Sequence, residues 1–234
     1  MKSLIKKHWF WLGSGLVFFL ILISAYQLFF SPPQREAERE VFVVNTSLKK
    51  ETIVQRLKEQ GFIKNIFGFN FVLRMQGMDK IKPGGYRLSK GMNTWKVAVS
   101  LQQGPDLAWV TIPEGWRKEQ IAQRLAERLG WDEKQLEDWI QKYTAMEFDH
   151  LEGVYFPDTY LIPKDEDGLS IADRFRNRFE EKFAPYYEQF LEQNIKWTTG
   201  LTLASVIQRE AAGSEDMSLI AGILWNRLLD DMNL

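Results

Sequence analysis

KEQIAQRLAE at residues 118–127 repeats KETIVQRLKE at residues 50–59, with seven of ten positions identical at a constant offset of 68 residues. Both copies carry apolar residues at the three- and four-residue spacing of an amphipathic helix, and each follows a short run that predicts a strand, at residues 41–44 and 109–112. Many amphipathic helices are rich in Lys, Glu, Gln and Leu, so a chance match is the alternative explanation. The pattern favours a strand–helix unit used twice, and an α+β fold.

The first strand–helix unit extends into a small α+β subdomain, which we expect at residues 41–105. An aromatic-rich segment at residues 65–75 predicts a second helix. KPGGYRL at residues 82–88 predicts a turn followed by a strand, and Asn93 is suited to cap a further helix. Residues 106–234 then form a second domain, in which we expect mixed α/β structure.

WFWLGSGLVFFLILISAYQLFF at residues 9–30 carries no charge, and as a helix these 22 residues would be about 33 Å long, enough to cross a bilayer core. Three lysines precede it, which predicts a cytoplasmic N-terminus and an extracytoplasmic body. A cleaved signal peptide is the alternative, but its apolar run would be shorter and followed by small residues. We therefore predict an uncleaved single-pass anchor in the plasma (inner) membrane at residues 1–30, and a solvated linker at residues 31–40.

The composition argues against several classes of function. The formal net charge is −1 and no basic run resembles a nucleic-acid patch, so nucleic acid is not an expected partner. The chain contains no cysteine, and its histidines are His8 and His150, which are too few for a zinc centre and argue against a Ser-His-Asp triad. We expect no metal and no cofactor, so any chemistry has to depend on carboxylates.

LTLASVIQREAAG at residues 201–213 predicts an amphipathic helix with an acid on its apolar face. Helical spacing aligns four residues: Leu203, Val206, Ile207 and Glu210. A carboxyl held among aliphatic side chains has its charged form disfavoured, which would let Glu210 carry a proton near neutral pH. The alternative is that Glu210 lies at the edge of the stripe and reaches water.

EGVYFPDTY at residues 152–160 is the most unusual loop of the sequence, because it combines two carboxylates with three aromatic residues. Gly153 and Pro157 predict a turn. Aromatic rings and carboxylates are the residue types that stack on sugar faces and accept hydroxyl hydrogen bonds. The same composition is also typical of a packed corner.

Taken in order, these segments resemble the endolytic murein transglycosylases of the YceG-like (MltG) family. Besides the N-terminal anchor, the resemblance is carried by KPGGYRL in a LysM-like subdomain at residues 41–105, and by IPEG (112–115), EGVYFPDTY (152–160), ASVIQRE (204–210) and NRL (226–228). The family usually has glutamate where this chain has Gln208. Its catalytic acid falls at Glu210, so the departure leaves the catalytic position intact.

The resemblance implies cleavage inside peptidoglycan glycan strands that leaves 1,6-anhydro-muramyl ends. One carboxyl suffices for this reaction, because it protonates the glycosidic oxygen and then accepts the proton of the muramic acid 6-hydroxyl, which closes on the anomeric carbon. Glu210 would be this general acid/base. Four further residues would bind or orient the glycan: Glu152, Asp158, Tyr160 and Glu114.

Family members continue beyond the NRL motif, whereas this chain ends at Leu234, so we expect the catalytic domain at residues 106–234 to be incomplete. The competing function is non-catalytic. It is a membrane-tethered module that binds peptidoglycan through the LysM-like part and recruits cell-wall synthases. A glycan-release assay distinguishes the two.

Overall fold

The computed structural model describes residues 2–145, 151–230 and 232, with the backbone alone for residues 2–14. The fold is α+β, as predicted, and it divides into two compact units, Met1–Ala108 and Trp109–Leu234. The first unit contains α1 (Lys2–Phe29), β1 (Arg39–Val44), α2 (Lys50–Glu59), α3 (Ile66–Met75), β2 (Gly84–Ser89) and α4 (Thr94–Gln103).

The N-terminal segment forms one helix of 28 residues, α1. Within the part of the chain that the structure describes, no helix is both long and apolar enough to span a membrane. The membrane anchor at residues 1–30 therefore stays a prediction.

The core of the first unit lies between an antiparallel strand pair and three helices. β1 runs antiparallel to β2, with Phe42 opposite Tyr86. Phe42 and Val44 are buried while the residues between and before them are not, which is the period-two pattern of a half-buried strand. The three helices bury one apolar face each: Ile53, Val54 and Leu57 from α2, Phe69, Val72 and Leu73 from α3, and Val97, Ala98 and Leu101 from α4.

The KPGGYRL motif has a steric explanation. Gly84 has φ +146°, and a Cβ added there would lie 2.6 Å from the carbonyl oxygen of Leu107, so only glycine fits. The hydroxyl of Tyr86 donates to the carbonyl of Lys82 at 2.7 Å, which closes the turn on itself. The motif is thus explained by the turn and the strand that the sequence predicts.

The segment that follows α1, predicted as a solvated linker at residues 31–40, is mostly exposed and also makes hydrogen bonds. The N–H of Gln34 donates to the carbonyl of Lys90 at 3.1 Å. The hydroxyl of Ser89 donates to the carbonyl of Ala37 at 2.6 Å. The last two residues of the predicted linker already belong to β1. Hydrogen bonds to the first unit therefore give this polar segment a defined path.

The second unit contains most of β3 (Leu107–Thr111), followed by α5 (Lys118–Leu129), α6 (Glu133–Asp138), a π-helical turn (Trp139–Tyr143), β4 (Thr159–Pro163), α7 (Gly168–Glu192), α8 (Trp197–Glu210) and α9 (Ser214–Leu229). β2 pairs antiparallel with the start of β3 inside the first unit, with Gly85 opposite Leu107. Within the second unit the N–H of Ile112, which follows β3, donates to the carbonyl of Asp158, which precedes β4, at 2.9 Å.

The two copies of the repeated decapeptide form α2 and the larger part of α5, each after a strand, as predicted. The same positions face the core in both copies: Ile53, Val54 and Leu57 in α2 correspond to Ile121, Ala122 and Leu125 in α5. Two of these three buried positions are identical in the two copies, Ile and Leu, whereas Val54 corresponds to Ala122.

From the sequence, Thr198 or Thr199 is expected to cap α8 and Asp216 to open α9. Neither expectation is confirmed. Thr198 and Thr199 do not cap α8, because they lie inside it, and the N-cap residue Lys196 makes no side-chain cap hydrogen bond. The carbonyl of Thr198 instead accepts the hydroxyl of Thr202 at 2.9 Å. α9 begins at Ser214 rather than at Asp216. Both helices start without a side-chain cap.

Candidate active site

Glu210 is the last residue of α8, and its side chain is exposed. Of the stripe that was expected to bury it, Leu203 is buried, whereas Val206 and Ile207 are only half-buried. Of the two alternatives that the sequence left open for Glu210, burial on the apolar stripe and access to water at its edge, the structure has the second. Helical spacing identifies an apolar face but not the element that covers it.

Two loops approach α8 through glycines with positive φ angles. A Cβ added at Gly153 (φ +98°) would lie 3.2 Å from Cδ1 of Leu201, and one added at Gly115 (φ +74°) would lie 3.5 Å from Cγ of Gln208. The loops that contain IPEG and EGVYFPDTY, which are far apart in sequence, therefore meet the same helix.

Glu210 lies on the other side of that helix. Leu201 and Gln208 are seven residues apart, about two turns of 3.6 residues, so they point in nearly the same direction. Glu210 is two residues beyond Gln208, which places it about 200° around the axis. The structure therefore brings the two predicted loops together at α8, but it does not bring Glu210 to the face that they contact.

Glu152 connects its loop to α5. Its Oε1 accepts the N–H of Lys118, the first residue of α5, at 3.1 Å. The ammonium of Lys118 in turn donates to the carbonyls of Ile140 and Thr144 at 3.2 and 3.1 Å. A half-buried carboxylate at a helix N-terminus satisfies a free N–H and interacts well with the helix dipole. These contacts give Glu152 a structural role.

Asp158 forms an ion pair with Arg178, a basic residue of α7. Its Oδ2 lies 2.9 Å from Nη2 of Arg178, and its Oδ1 accepts the N–H of Thr159 at 2.7 Å. The hydrogen bond from Thr159 and then the guanidinium of Arg178 hold the pKa of the Asp158 carboxyl below its usual range. Arg178 also binds Glu181 at 2.8 Å. Asp158 is therefore a permanent anion at neutral pH, which suits positioning rather than proton donation.

Tyr160 points into the core of the second unit. Its ring is 9% exposed and lies 4.5 Å, between centroids, from Phe175. Its hydroxyl donates to the carbonyl of Phe156 at 2.6 Å, and burial raises the pKa of the phenol. These contacts close the aromatic loop as a packed corner. Glu114, in contrast, is exposed, in the IPEG loop.

An Asp158→Asn variant is expected to lose a pH-dependent part of the stability. Because the pKa of Asp158 is lowered in the folded state, its stabilising effect is complete above the unfolded value, near 3.9, and is lost as the pH falls through the lower folded value. The melting temperature of the wild type should exceed that of the variant by a constant amount above about pH 5, and by a shrinking amount below about pH 4. Asp230→Asn, an exposed change, is the control. A difference that persists unchanged in strong acid would contradict this account.

An aromatic cleft of about 410 Å³, which was not predicted from the sequence, lies along α7. Four aromatic residues line it: Phe179, Phe183, Tyr187 and Trp197. Val154 contributes from the EGVYFPDTY loop, and Arg176, Glu180 and Glu188 supply charge. The first three aromatic residues recur every fourth position of one helix, and this spacing was the available signal. Open aromatic surfaces flanked by polar groups are typical of ligand sites.

Among the residues that the structure describes, no group of His, Cys, Asp and Glu side chains is arranged to hold a metal ion.

The chain is similar to known proteins over most of its length. The model of the YceG-like family matches residues 42–234. The endolytic murein transglycosylase of Streptococcus pneumoniae is 30% identical over 210 residues, which cover 76% of this chain and 38% of the relative. The endolytic murein transglycosylase of Bacillus subtilis is 25% identical over 228 residues, which cover 87% of this chain and 63% of the relative.

The crystal structure of a YceG-like protein from Listeria monocytogenes matches with a TM-score of 0.49 and 23% identity, over 85% of this chain and 72% of that protein. The chain thus spans between 38% and 63% of the length of the curated relatives described above. Since the family match begins at residue 42 and continues to residue 234, the chain belongs to the YceG-like family.

Proposed function

We propose that the protein is an endolytic peptidoglycan lytic transglycosylase. Its membership of the YceG-like family carries the proposal, together with two relatives that are named endolytic murein transglycosylase. The segments that carry the resemblance are present in this chain, including Glu210 at the position of the family's catalytic acid, and Gln208 stands where the family usually has glutamate.

Glu210 is the general acid/base of the proposed reaction. Its carboxyl group donates a proton to the glycosidic oxygen as the bond from that oxygen to the anomeric carbon breaks. The carboxylate that results accepts the proton of the muramic acid 6-hydroxyl, whose oxygen forms the new bond to the anomeric carbon. The proton returns to the carboxyl, and no water is consumed.

The exposure of Glu210 has two consequences for this mechanism. Among the residues that the structure describes, none has to move for a polymer to reach the carboxyl, which suits attack inside a strand. The same exposure means that a bound glycan, lying across the end of α8, would itself have to exclude water from the reacting atoms.

The aromatic cleft is a binding surface of suitable chemistry for the same strand. Trp197 is in the first turn of α8 and Glu210 in its last, so the two are separated by about 20 Å along the helix axis and by about 140° around it, and a strand that reaches both has to wrap around the helix. That length corresponds to several sugar units, as expected for an enzyme that holds a chain on both sides of the bond that it breaks. Glu114, Glu152 and Asp158 would position the glycan indirectly, through the loops that meet α8.

We also propose that α1 anchors the protein in the plasma membrane, with the body outside the cytoplasm. The uncharged run at residues 9–30 and the lysines before it support this orientation. The β–α–α–β order of β1, α2, α3 and β2 is consistent with a LysM-like subdomain that binds peptidoglycan. Cell-wall synthases are the partners that such a location would favour.

The non-catalytic alternative is favoured by one observation. Glu210 lies on the side of α8 away from the two motif-bearing loops. A scaffold that binds peptidoglycan without cutting it would need no acid at the loops.

Product analysis separates the two functions. The full-length protein should be incubated with intact peptidoglycan, and the soluble and residual glycan analysed for anhydro-muramyl ends by mass spectrometry. We expect new anhydro-muramyl ends that arise from cleavage at internal bonds of long strands. Cosedimentation with peptidoglycan, together with no anhydro ends above the level without protein, would establish the scaffold instead.

A further inference from the structure

The first unit exposes an apolar stripe along α3. Phe67, Phe71 and Met75 recur every fourth residue, so they share one side of the helix. Phe67 is 74% exposed and Met75 is 66% exposed. The other side of α3 packs into the core through Phe69 and Val72, which are fully buried. α3 is therefore apolar on both sides, unlike an ordinary surface helix.

A second exposed pair extends this surface on α4, the helix that contacts α3. Trp95 and Val99 are also four residues apart, and both are exposed. We call the five residues Phe67, Phe71, Met75, Trp95 and Val99 the aromatic patch. Exposed apolar groups that cluster in this way mark an interaction surface, whereas single ones do not.

The patch is continuous with the end of α1. The ring of Phe30 lies 6.2 Å from that of Phe71 and 6.3 Å from that of Trp95, and the ring of Phe29 lies 6.1 Å from that of Phe67. A Cβ added at Gly68 would lie 2.6 Å from the carbonyl oxygen of Phe29, so α3 touches the backbone of α1 directly.

Charge distinguishes the patch from the other helical surface of the unit. The charged residues of α3 and α4 are Arg74 and Lys96, both basic and exposed. α2 has no exposed apolar residue, and its outer face mixes both signs: Glu51, Lys58 and Glu59. A surface of aromatic and basic residues without acids is complementary to an anionic lipid surface.

We propose that the aromatic patch lies in the interface of an anionic phospholipid bilayer, with α3 and α4 resting on the membrane beside α1. The inference rests on the proposed anchoring by α1. Helices of this kind bury their apolar face roughly 5–10 Å into the boundary between headgroups and acyl chains. Because the anchor already holds the unit at the surface, even weak binding by the patch is sufficient for contact.

Single-cysteine labelling tests the proposal, since the chain contains no cysteine of its own. Met75→Cys reports on the patch, Thr52→Cys on the exposed polar face of α2, and Leu20→Cys on α1. Each full chain carries an environment-sensitive fluorophore and is reconstituted in vesicles of phosphatidylethanolamine and phosphatidylglycerol that contain lipid-borne quenchers at defined depths.

We expect the label at position 75 to be quenched by shallow quenchers, at a depth of roughly 5–10 Å, and the label at position 52 to be accessible only to aqueous quenchers. The label at position 20 should respond to deep quenchers. If position 20 responds and position 75 behaves like position 52, the patch proposal is overturned while the anchor remains. If the label at position 75 is shielded from aqueous quenchers but is not quenched by lipid-borne ones, the patch binds a protein or a second copy of this chain. That result also overturns the proposal that the patch lies in the bilayer interface. Failure at position 20 contradicts the anchor itself, and with it the basis of the inference.

Discussion

Replacing Glu210 by glutamine in the full-length protein is expected to lower the formation of anhydro-muramyl ends by a factor of about 100 or more, the lower range for lost general acid catalysis. Glutamine keeps the shape and the hydrogen-bonding capacity of the side chain but has no proton to donate to a leaving oxygen. Because Glu210 is exposed at the end of α8, folding should be unaffected. The measurement is product analysis of digested peptidoglycan, with circular dichroism as the check on folding.

Gln208→Glu is the matched control, because it changes the charge on the same turn of α8 but on the side that meets Gly115. Little change in product is expected. Substantial anhydro product from Glu210→Gln would assign the proton to another carboxyl, with Glu152 and Glu114 as the candidates next to α8. It would also mean that the loop face, and not the exposed helix end, is the reacting side.

Tyr160→Ala is expected to destabilise the second unit by about 3–5 kcal/mol, the range for removing a large buried aromatic side chain. The ring packs against Phe175, and its loss leaves a cavity in the core. Tyr160→Phe should cost only about 1 kcal/mol, for the hydrogen bond to Phe156. Unfolding in urea, followed by tryptophan fluorescence, measures both.

Tyr186→Ala serves as the control, because Tyr186 is an exposed tyrosine of α7, and a change within about 0.5 kcal/mol is expected there. A contrary result would be that Tyr160→Phe leaves stability unchanged but lowers glycan cleavage. The hydroxyl would then contribute to activity and not to the core, which supports the substrate-binding role that the resemblance implies for Tyr160.

The sequence predicted local structure well where the signal itself is local. Periodicity identified α2 and α5, and the repeat even predicted equivalent buried positions, because helix packing depends on residues three and four apart. The side chain of Asn93 accepts the N–H of Lys96, so the predicted cap of α4 is confirmed. The prediction that Thr198 or Thr199 caps α8 was wrong, because threonine also occurs inside helices and no sequence rule restricts it to the cap position.

The candidate site was predicted as a set of residues but not as an arrangement. EGVYFPDTY is compatible with a sugar-binding wall and with a packed corner, and only three-dimensional contacts show that Tyr160 is inside and that Glu152 holds α5. The exposure of Glu210 depends on which element covers α8, which periodicity within one helix cannot reveal. The aromatic cleft depends on α7 and Trp197 lying side by side, a long-range contact that composition does not encode.

The hydrogen-bonded path after α1 has a consequence for proteolysis. A protease cleaves backbone that is extended and makes no hydrogen bonds to the rest of the fold, and the segment between a helix and a folded domain is a common place for such backbone. Here Gln34 and Ala37 bond to Lys90 and Ser89, so that stretch is held against the first unit. Cutting it requires those bonds to open first, and shedding of the body from its N-terminal helix is accordingly disfavoured.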